Sequence, residues 1–204
     1  MDRRNILWVS VIAAIFPSWL AFGTEAPQVA APAENRESGE VSVYQRIVRL
    51  FNSINAAMDN VANVIDRDRL IDFMTSLEGD FQKIIDEKNR IASMLKVENS
   101  DVYKIRDAGS NLLQQMEKCS NRLSDSAALL RQFSSEVEAK VIADKFSNAF
   151  NGKQVWVRKV SSLREDAPQA DRAKLADYAS KTAEALGSAR DSVATTVRKL
   201  RGLG

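Results

Sequence analysis

The chain of 204 residues contains no histidine and a single cysteine, Cys119. Without histidine, it lacks the commonest general base and the commonest ligand of transition metals. One cysteine can form neither an internal disulfide nor a cysteine-pair zinc site. Ser-His-Asp triads, cysteine–histidine nucleophiles and histidine-based metal mechanisms are therefore excluded.

Proline and glycine, the residues that most often end helices and form turns, are also scarce. The chain has 4 prolines and 8 glycines, and residues 33–167 contain no proline. An all-β fold needs frequent turns, so this distribution favours long helices instead. Hydrophobic residues make up 45% and charged residues 27% of the chain, as in ordinary folded domains. The composition therefore predicts a folded all-α protein.

Residues 1–23 have the pattern of a secretory signal peptide. Arg3 and Arg4 precede an apolar run, and the small residues Ala21 and Gly23 occupy positions −3 and −1 of a cleavage site after Gly23. The run is shorter than the roughly 20 residues that span a bilayer. We expect cleavage near Gly23 and a secreted or periplasmic protein. The alternative is an uncleaved N-terminal signal anchor that holds the domain outside the cytoplasm.

The residues after the signal fall into two compositional classes. Residues 24–40 are rich in alanine, proline and glutamate with almost no large apolar side chain, which predicts a disordered linker. From Val41 to the C-terminus, apolar residues recur at steps of three and four, which places them on one face of successive helices. Residues 41–204 are therefore predicted to form a helical bundle domain.

Two predicted helices occupy the first half of this domain. The apolar face of the first runs from Tyr44 to Ile65, and that of the second runs from Leu70 to Leu95 with Lys88 as its polar core position. The two faces are out of phase, so we expect a break near residues 66–68; a continuous bent helix is the alternative.

A third and longest helix is predicted after a turn and cap at residues 98–101. Its apolar face begins at Val102 and continues to Val141, with a bend or restart near residue 140 and an end at Asn151. Cys119 lies in this face and is expected to be buried. Gly109 also lies there and indicates a close helix approach or a local bend.

The C-terminal part contains a short helix within residues 153–167 and a long alanine-rich helix after Pro168. Each helix has an apolar face that it cannot bury alone, so the helices must pack together. The predicted architecture is an elongated, antiparallel, coiled-coil-like bundle of four main helices plus a short connector.

Charge is balanced overall but unevenly distributed. The chain has a formal net charge of +2, with acidic residues in excess over residues 24–100 and basic residues in excess over residues 151–204. The basic residues around Trp156 form a candidate interaction surface, since tryptophan with arginine and lysine suits protein interfaces and anionic lipid surfaces. The alternative is that Trp156 fills the end of the bundle. The candidate residues are Lys153, Trp156, Arg158, Lys159 and Arg164.

These patterns favour a non-enzymatic function. No phosphate-binding glycine loop, cofactor motif or metal motif occurs, and the acidic pairs are adjacent on helices and point apart. We expect an exported binding or scaffold protein that contacts a protein partner, or another copy of itself, through helix faces. Peripheral binding to an anionic membrane or envelope surface is the alternative. Nucleic-acid binding is not expected, because the positive charge is modest.

Overall fold

A computed structural model describes residues 34–58, 67–131 and 136–202, with side chains described from residue 39 and from residue 139 in the first and last ranges. Within these ranges the chain forms helices and no strands, which confirms the predicted all-α bundle. The helices are α1 (Glu34–Met58), α2 (Arg67–Lys96), α3 (Val102–Asp125), α4 (Ala127–Leu130), α5 (Glu136–Asn151), α6 (Trp156–Ser161) and α7 (Gln169–Gly202).

The N-terminal boundaries differ in part from those predicted. The predicted signal peptide at residues 1–23 lies outside the described residues, as does the segment that joins α1 to α2. Helix α1 begins at Glu34, within the segment predicted as a linker, so the helical domain starts earlier than residue 41. The reason is that Glu40 lies one helical turn before Tyr44 and continues the buried face of α1.

The predicted third helix is divided, so its prediction as one helix up to residue 141 is wrong. Helix α3 ends at Asp125, and Ser126 leaves the helical conformation with φ −91° and ψ 2°. The run Ser124-Asp125-Ser126 explains this position, since short polar side chains compete with the helix for backbone hydrogen bonds. The bundle therefore has five long helices among the described residues, rather than four.

Other local predictions are confirmed. The Asp101 carboxylate accepts hydrogen bonds from the backbone N–H groups of Tyr103 and Lys104, and so caps the start of α3. Helix α5 ends at Asn151, directly before Gly152. Cys119 is fully buried in α3, and this burial raises the pKa of its thiol far above the ordinary value.

The five long helices surround one core. Helix α7 packs on α1 and α2, α3 packs on α2 and α5, and α5 packs back on α1. Helices α2 and α7 run antiparallel, because Gln82 contacts Arg190 and, further along α2, Lys88 contacts Thr182. The packing order around the core is therefore α1, α7, α2, α3 and α5. None of the described helices is both long and apolar enough to cross a membrane.

The short helix α6 lies at one end of the bundle, where α1, α3 and α7 begin and α2 and α5 end. It packs on α3, α5 and α7. Gly109 of α3 permits this contact: a Cβ atom there would lie 2.8 Å from the backbone nitrogen of Ser161. The close approach predicted for Gly109 is thus confirmed, and α6 is its partner. We call this end of the bundle the α6 end.

Candidate functional site

The interior of the α6 end contains a carboxylate that accepts hydrogen bonds from three different helices, its own included. Glu40 Oε1 accepts from Lys88 Nζ at 2.5 Å and from the Tyr44 hydroxyl at 2.5 Å. The indole Nε1 of Trp156 donates to Glu40 Oε2 at 2.7 Å. These side chains come from α1, α2 and α6, so one carboxylate joins elements that are distant in sequence. We call this group, with Thr182, the buried network.

The Lys88 ammonium group has further partners in the same network. Its Nζ donates to Thr182 Oγ1 at 2.8 Å, and the Thr182 hydroxyl in turn donates to the backbone carbonyl of Tyr178. The same Nζ lies 4.4 Å from the centroid of the Trp156 ring and 5.8 Å from that of Tyr44. Aromatic faces attract a cation. The buried charge of Lys88 is therefore matched by a carboxylate, a hydroxyl and two rings.

Burial changes the proton affinities of this network. Loss of hydration lowers the pKa of Lys88 from its ordinary value of 10.5, although the charge of Glu40 acts in the opposite direction. Burial, followed by the negative charge of Glu40, raises the pKa of Tyr44 well above 10.0. Tyr44 is thus held as a neutral hydrogen-bond donor to the carboxylate.

The buried network does not face solvent. Each of its five side chains is 1% exposed or less. A dissolved substrate cannot reach these groups, so their chemistry is that of positioning: they fix α1, α2, α6 and α7 relative to one another. Within the described part of the chain, no three histidine, cysteine, aspartate or glutamate side chains cluster as metal ligands do.

The structure corrects one part of the predicted interaction surface. Trp156 lies inside the α6 end, where its nitrogen binds Glu40, and is 1% exposed. It fills the bundle end, as the alternative interpretation of the sequence proposed. The reason is the helical spacing of Trp156, Val157 and Val160, which places all three side chains on the face of α6 that packs into the core.

The four basic residues of the predicted surface lie outside the core but have different surroundings. Lys153 is exposed, whereas the Arg158 guanidinium donates to the carbonyl of Phe150 and so binds the end of α5. Arg164 forms an ion pair with Asp166 at 2.9 Å. Lys159 and Arg164 both line a groove beside α6. That these basic residues bind a partner stays a prediction.

That groove lies between α6, the following loop and the first turns of α7, and we call it the α6–α7 groove. It has a volume of about 970 Å³. Leu163, Leu175 and Tyr178 supply apolar surface, and charged side chains of both signs surround them. Its remaining lining residues are Lys159, Ser162, Arg164, Asp166, Ala167, Pro168, Asp171 and Lys174.

A second apolar feature lies at the same end, on the turn between α2 and α3 and on the first turn of α3. Val97 is 58% exposed and Tyr103 is 63% exposed; they are the large apolar side chains that the described residues leave most open to solvent. Tyr103 is nevertheless held in place, because its hydroxyl donates to Glu165 Oε1 at 2.7 Å. The Arg106 guanidinium carbon lies 5.4 Å from the ring centroid. An ordered aromatic ring is thus presented to solvent beside the α6–α7 loop.

Our sequence reasoning missed Glu40, Val97 and Tyr103 as site residues. Glu40 could have been found, since it occupies the turn before Tyr44 on the apolar face, and Lys88 was the polar core position of the next helix. A carboxylate and an ammonium group at two core positions complement each other. Tyr103 gave a weaker signal, because it lies beside the apolar face of α3 rather than in it.

Comparisons of the chain with models of known protein families, with curated proteins and with solved structures found no match.

Proposed function

We propose that this protein is an exported, non-enzymatic binding or scaffold protein that holds a protein partner at its α6 end. The observation that carries the proposal is the position of Val97 and Tyr103. These two exposed apolar side chains lie at one end of the bundle, where the α6–α7 groove also opens. Exposed apolar groups that cluster with a groove are typical of protein interaction sites.

The chemistry of this surface suits a protein partner. Tyrosine and arginine are enriched among the residues that contribute most to binding at protein interfaces, and the Arg106 guanidinium lies over the Tyr103 ring. Tyr103 is also restrained by its bond to Glu165, so little side-chain entropy is lost when a partner covers it. The charged rim of the groove, which includes Lys159 and Lys174, can select a partner by charge.

The buried network supports this role indirectly. It joins α1, α2 and α7 to α6, and these elements carry the turn with Val97 and the groove. A surface on a rigid scaffold binds with a smaller entropy loss than a mobile one. The catalytic alternative gains no support from the network, because its titratable groups are shielded from solvent.

The experiment is a quantitative crosslinking pull-down with the tagged full chain in its source organism. We expect Tyr103→Ser to reduce recovery of a specific partner at least tenfold, because an exposed aromatic anchor at an interface contributes about 2 kcal/mol or more. Tyr103→Phe keeps the ring and removes only the bond to Glu165, so it should retain most binding. Asn121→Ser, on the exposed side of α3 towards its other end, is the control.

Two outcomes would contradict the proposal. Unchanged partner recovery by Tyr103→Ser would exclude the α6 end as the binding surface. Recovery of the bait crosslinked only to itself would replace the partner by a second copy, and self-association would become the function to test.

Peripheral membrane binding is the weaker candidate. It depended on Trp156 as an aromatic anchor for the lipid interface, and Trp156 is buried. Lys153, Lys159 and Arg164 lie outside the core and can attract anionic lipid electrostatically, an attraction that salt screens, but Arg164 also pairs with Asp166. Salt-sensitive sedimentation of the full chain with anionic vesicles, lost on replacing these three residues by glutamine, would favour this candidate over the first.

A further inference from the structure

A second cleft lies between α1 and the C-terminal part of α5. It has a volume of about 550 Å³, within the range of about 300–1,000 Å³ that is usual for small-molecule sites. Val43, Ala149 and Val155 supply its apolar surface, and the backbone of Gly39 and Gly152 also lines it. We call it the α1–α5 cleft.

The charges of this cleft have one sign. Arg46 of α1 and Lys145 of α5 both line it, and no carboxylate does. Two described acidic groups nearby are directed elsewhere: the Glu40 carboxylate is bound inside the core, and Asp144 is exposed on α5 without lining the cleft. Among the side chains that the structure describes, two cations from different helices thus share a concave surface without a carboxylate in its lining.

Four of the polar side chains that line the cleft are uncommitted, whereas Asn151, which also lines it, is hydrogen-bonded to Ser147 and Arg158. Among the described residues, the side chains of Arg46 and Lys145 form no ion pair, and those of Ser42 and Asn148 form no hydrogen bond. A guanidinium, an ammonium, a hydroxyl and an amide together offer many N–H and O–H donors and little acceptor capacity. A ligand that fits them must bring negative charge and several acceptor oxygens.

From this arrangement we propose that the α1–α5 cleft binds a phosphoryl group carried on a small organic body. A phosphoryl group brings three acceptor oxygens and up to two negative charges, which match Arg46 and Lys145. Arginine binds such a group through paired donors and lysine binds it as a point charge. The half-buried Ala149, with the small exposed edges of Val43 and Val155, supplies the apolar contact for the organic body. This site lies at the same end of the bundle as the surface proposed for the protein partner, but it shares no lining residue with the α6–α7 groove.

The same chemistry can reach the cleft from two sources, a free phosphate ester or the headgroup of a membrane lipid. The test therefore has two arms with the purified full chain. In the first, binding of glycerol 3-phosphate is measured by calorimetry at low salt, with succinate as a carboxylate comparison. In the second, co-sedimentation with phosphatidylglycerol vesicles is compared with that of phosphatidylcholine vesicles.

The variant Arg46→Gln with Lys145→Gln removes both charges and keeps polar side chains of similar length. The matched control is Arg49→Gln with Lys140→Gln, which removes one exposed charge from each of the same two helices outside the cleft. We expect the first pair to weaken binding at least tenfold and the control pair to leave it within twofold. Binding in the first arm identifies a free ester, and binding in the second arm alone identifies a lipid headgroup.

Three results would overturn the proposal. These are no binding in either arm, equal loss of binding in both double variants, and succinate binding as tightly as glycerol 3-phosphate. Circular dichroism of each variant checks that the helices are retained. Since all four replaced residues lie outside the core, loss of the fold is not expected to obscure the result.

Discussion

Replacing Glu40 by glutamine tests the buried network most severely. The amide keeps the size of the side chain and can still accept hydrogen bonds, but Lys88 loses its counter-charge. Removing one partner of a buried ion pair typically costs about 3–5 kcal/mol. The destabilisation has an upper limit, because Lys88 can become neutral by losing its proton rather than remain an unpaired buried charge. At pH 7 this costs about 1.36 kcal/mol for each pH unit below the usual lysine pKa, or about 5 kcal/mol.

The pH dependence of the Glu40→Gln variant gives a second, sharper readout. Burial lowers the pKa of Lys88, so the folded state binds fewer protons than the unfolded state between the two pKa values. Stability then rises with pH across that interval. We expect the unfolding free energy of the variant to recover towards pH 10, which a simple packing defect would not do.

The assay is urea unfolding followed by far-ultraviolet circular dichroism at pH 7 and pH 9.5. Glu87→Gln is the matched control, because Glu87 also forms an ion pair, with Arg90, but Arg90 is about half exposed. The control should change stability by about 0.5 kcal/mol or less. Adding Lys88→Met to Glu40→Gln should restore much of the loss. A loss below about 1 kcal/mol in Glu40→Gln, without pH dependence, would refute a buried Glu40–Lys88 pair.

Three further predictions test other parts of the bundle. Gly109→Ala should lower the unfolding free energy by about 1–3 kcal/mol, because its Cβ would meet the α6 backbone. Gly79→Ala, whose Cβ would have no neighbour within 4 Å, should raise the unfolding free energy by about 0.5–1 kcal/mol. Equal effects of the two variants in thermal unfolding would exclude the contact between α3 and α6. The pKa of the buried Cys119 thiol is raised, so its contribution to stability is complete below the unfolded thiol pKa of about 8.5 and is lost as pH rises above it. The unfolding free energy should therefore fall less steeply with pH in Cys119→Ala than in the unchanged protein. An equal slope in both proteins would contradict burial of the thiol. Asp101→Ala should cost about 1 kcal/mol of stability in urea unfolding through loss of the α3 cap, and Asp101→Asn much less; identical losses would argue against capping.

The parts of the fold that depend on local pattern could be predicted from the sequence. The apolar faces located α2, α6 and α7, and the turn at residues 98–101 located the start of α3. The end of α3 could not be predicted in this way, since its apolar spacing continues past Ser126 while the polar run there interrupts the backbone. Periodicity reports which side of a helix is buried, not whether the helix is continuous.

The candidate site was harder to predict because it depends on contacts between distant segments. The sequence marks Trp156 as an important residue, but the basic residues beside it in sequence suggest a position on the surface. Its actual partner, Glu40, lies 116 residues away in α1. Tyr103 became a candidate only when the exposed fraction of its side chain was known. Pairing of core polar residues between helices needs the packing order, which no single apolar face specifies.

Site-specific photo-crosslinking can show whether a protein partner contacts the α6 end. A photoreactive phenylalanine analogue replaces Tyr103 in one full-length variant and Asn121 in another, so that both probes lie on the exposed side of α3. We expect a crosslinked partner from position 103 and none from position 121. Crosslinks from position 121 alone, or equally from both positions, would contradict binding at the α6 end.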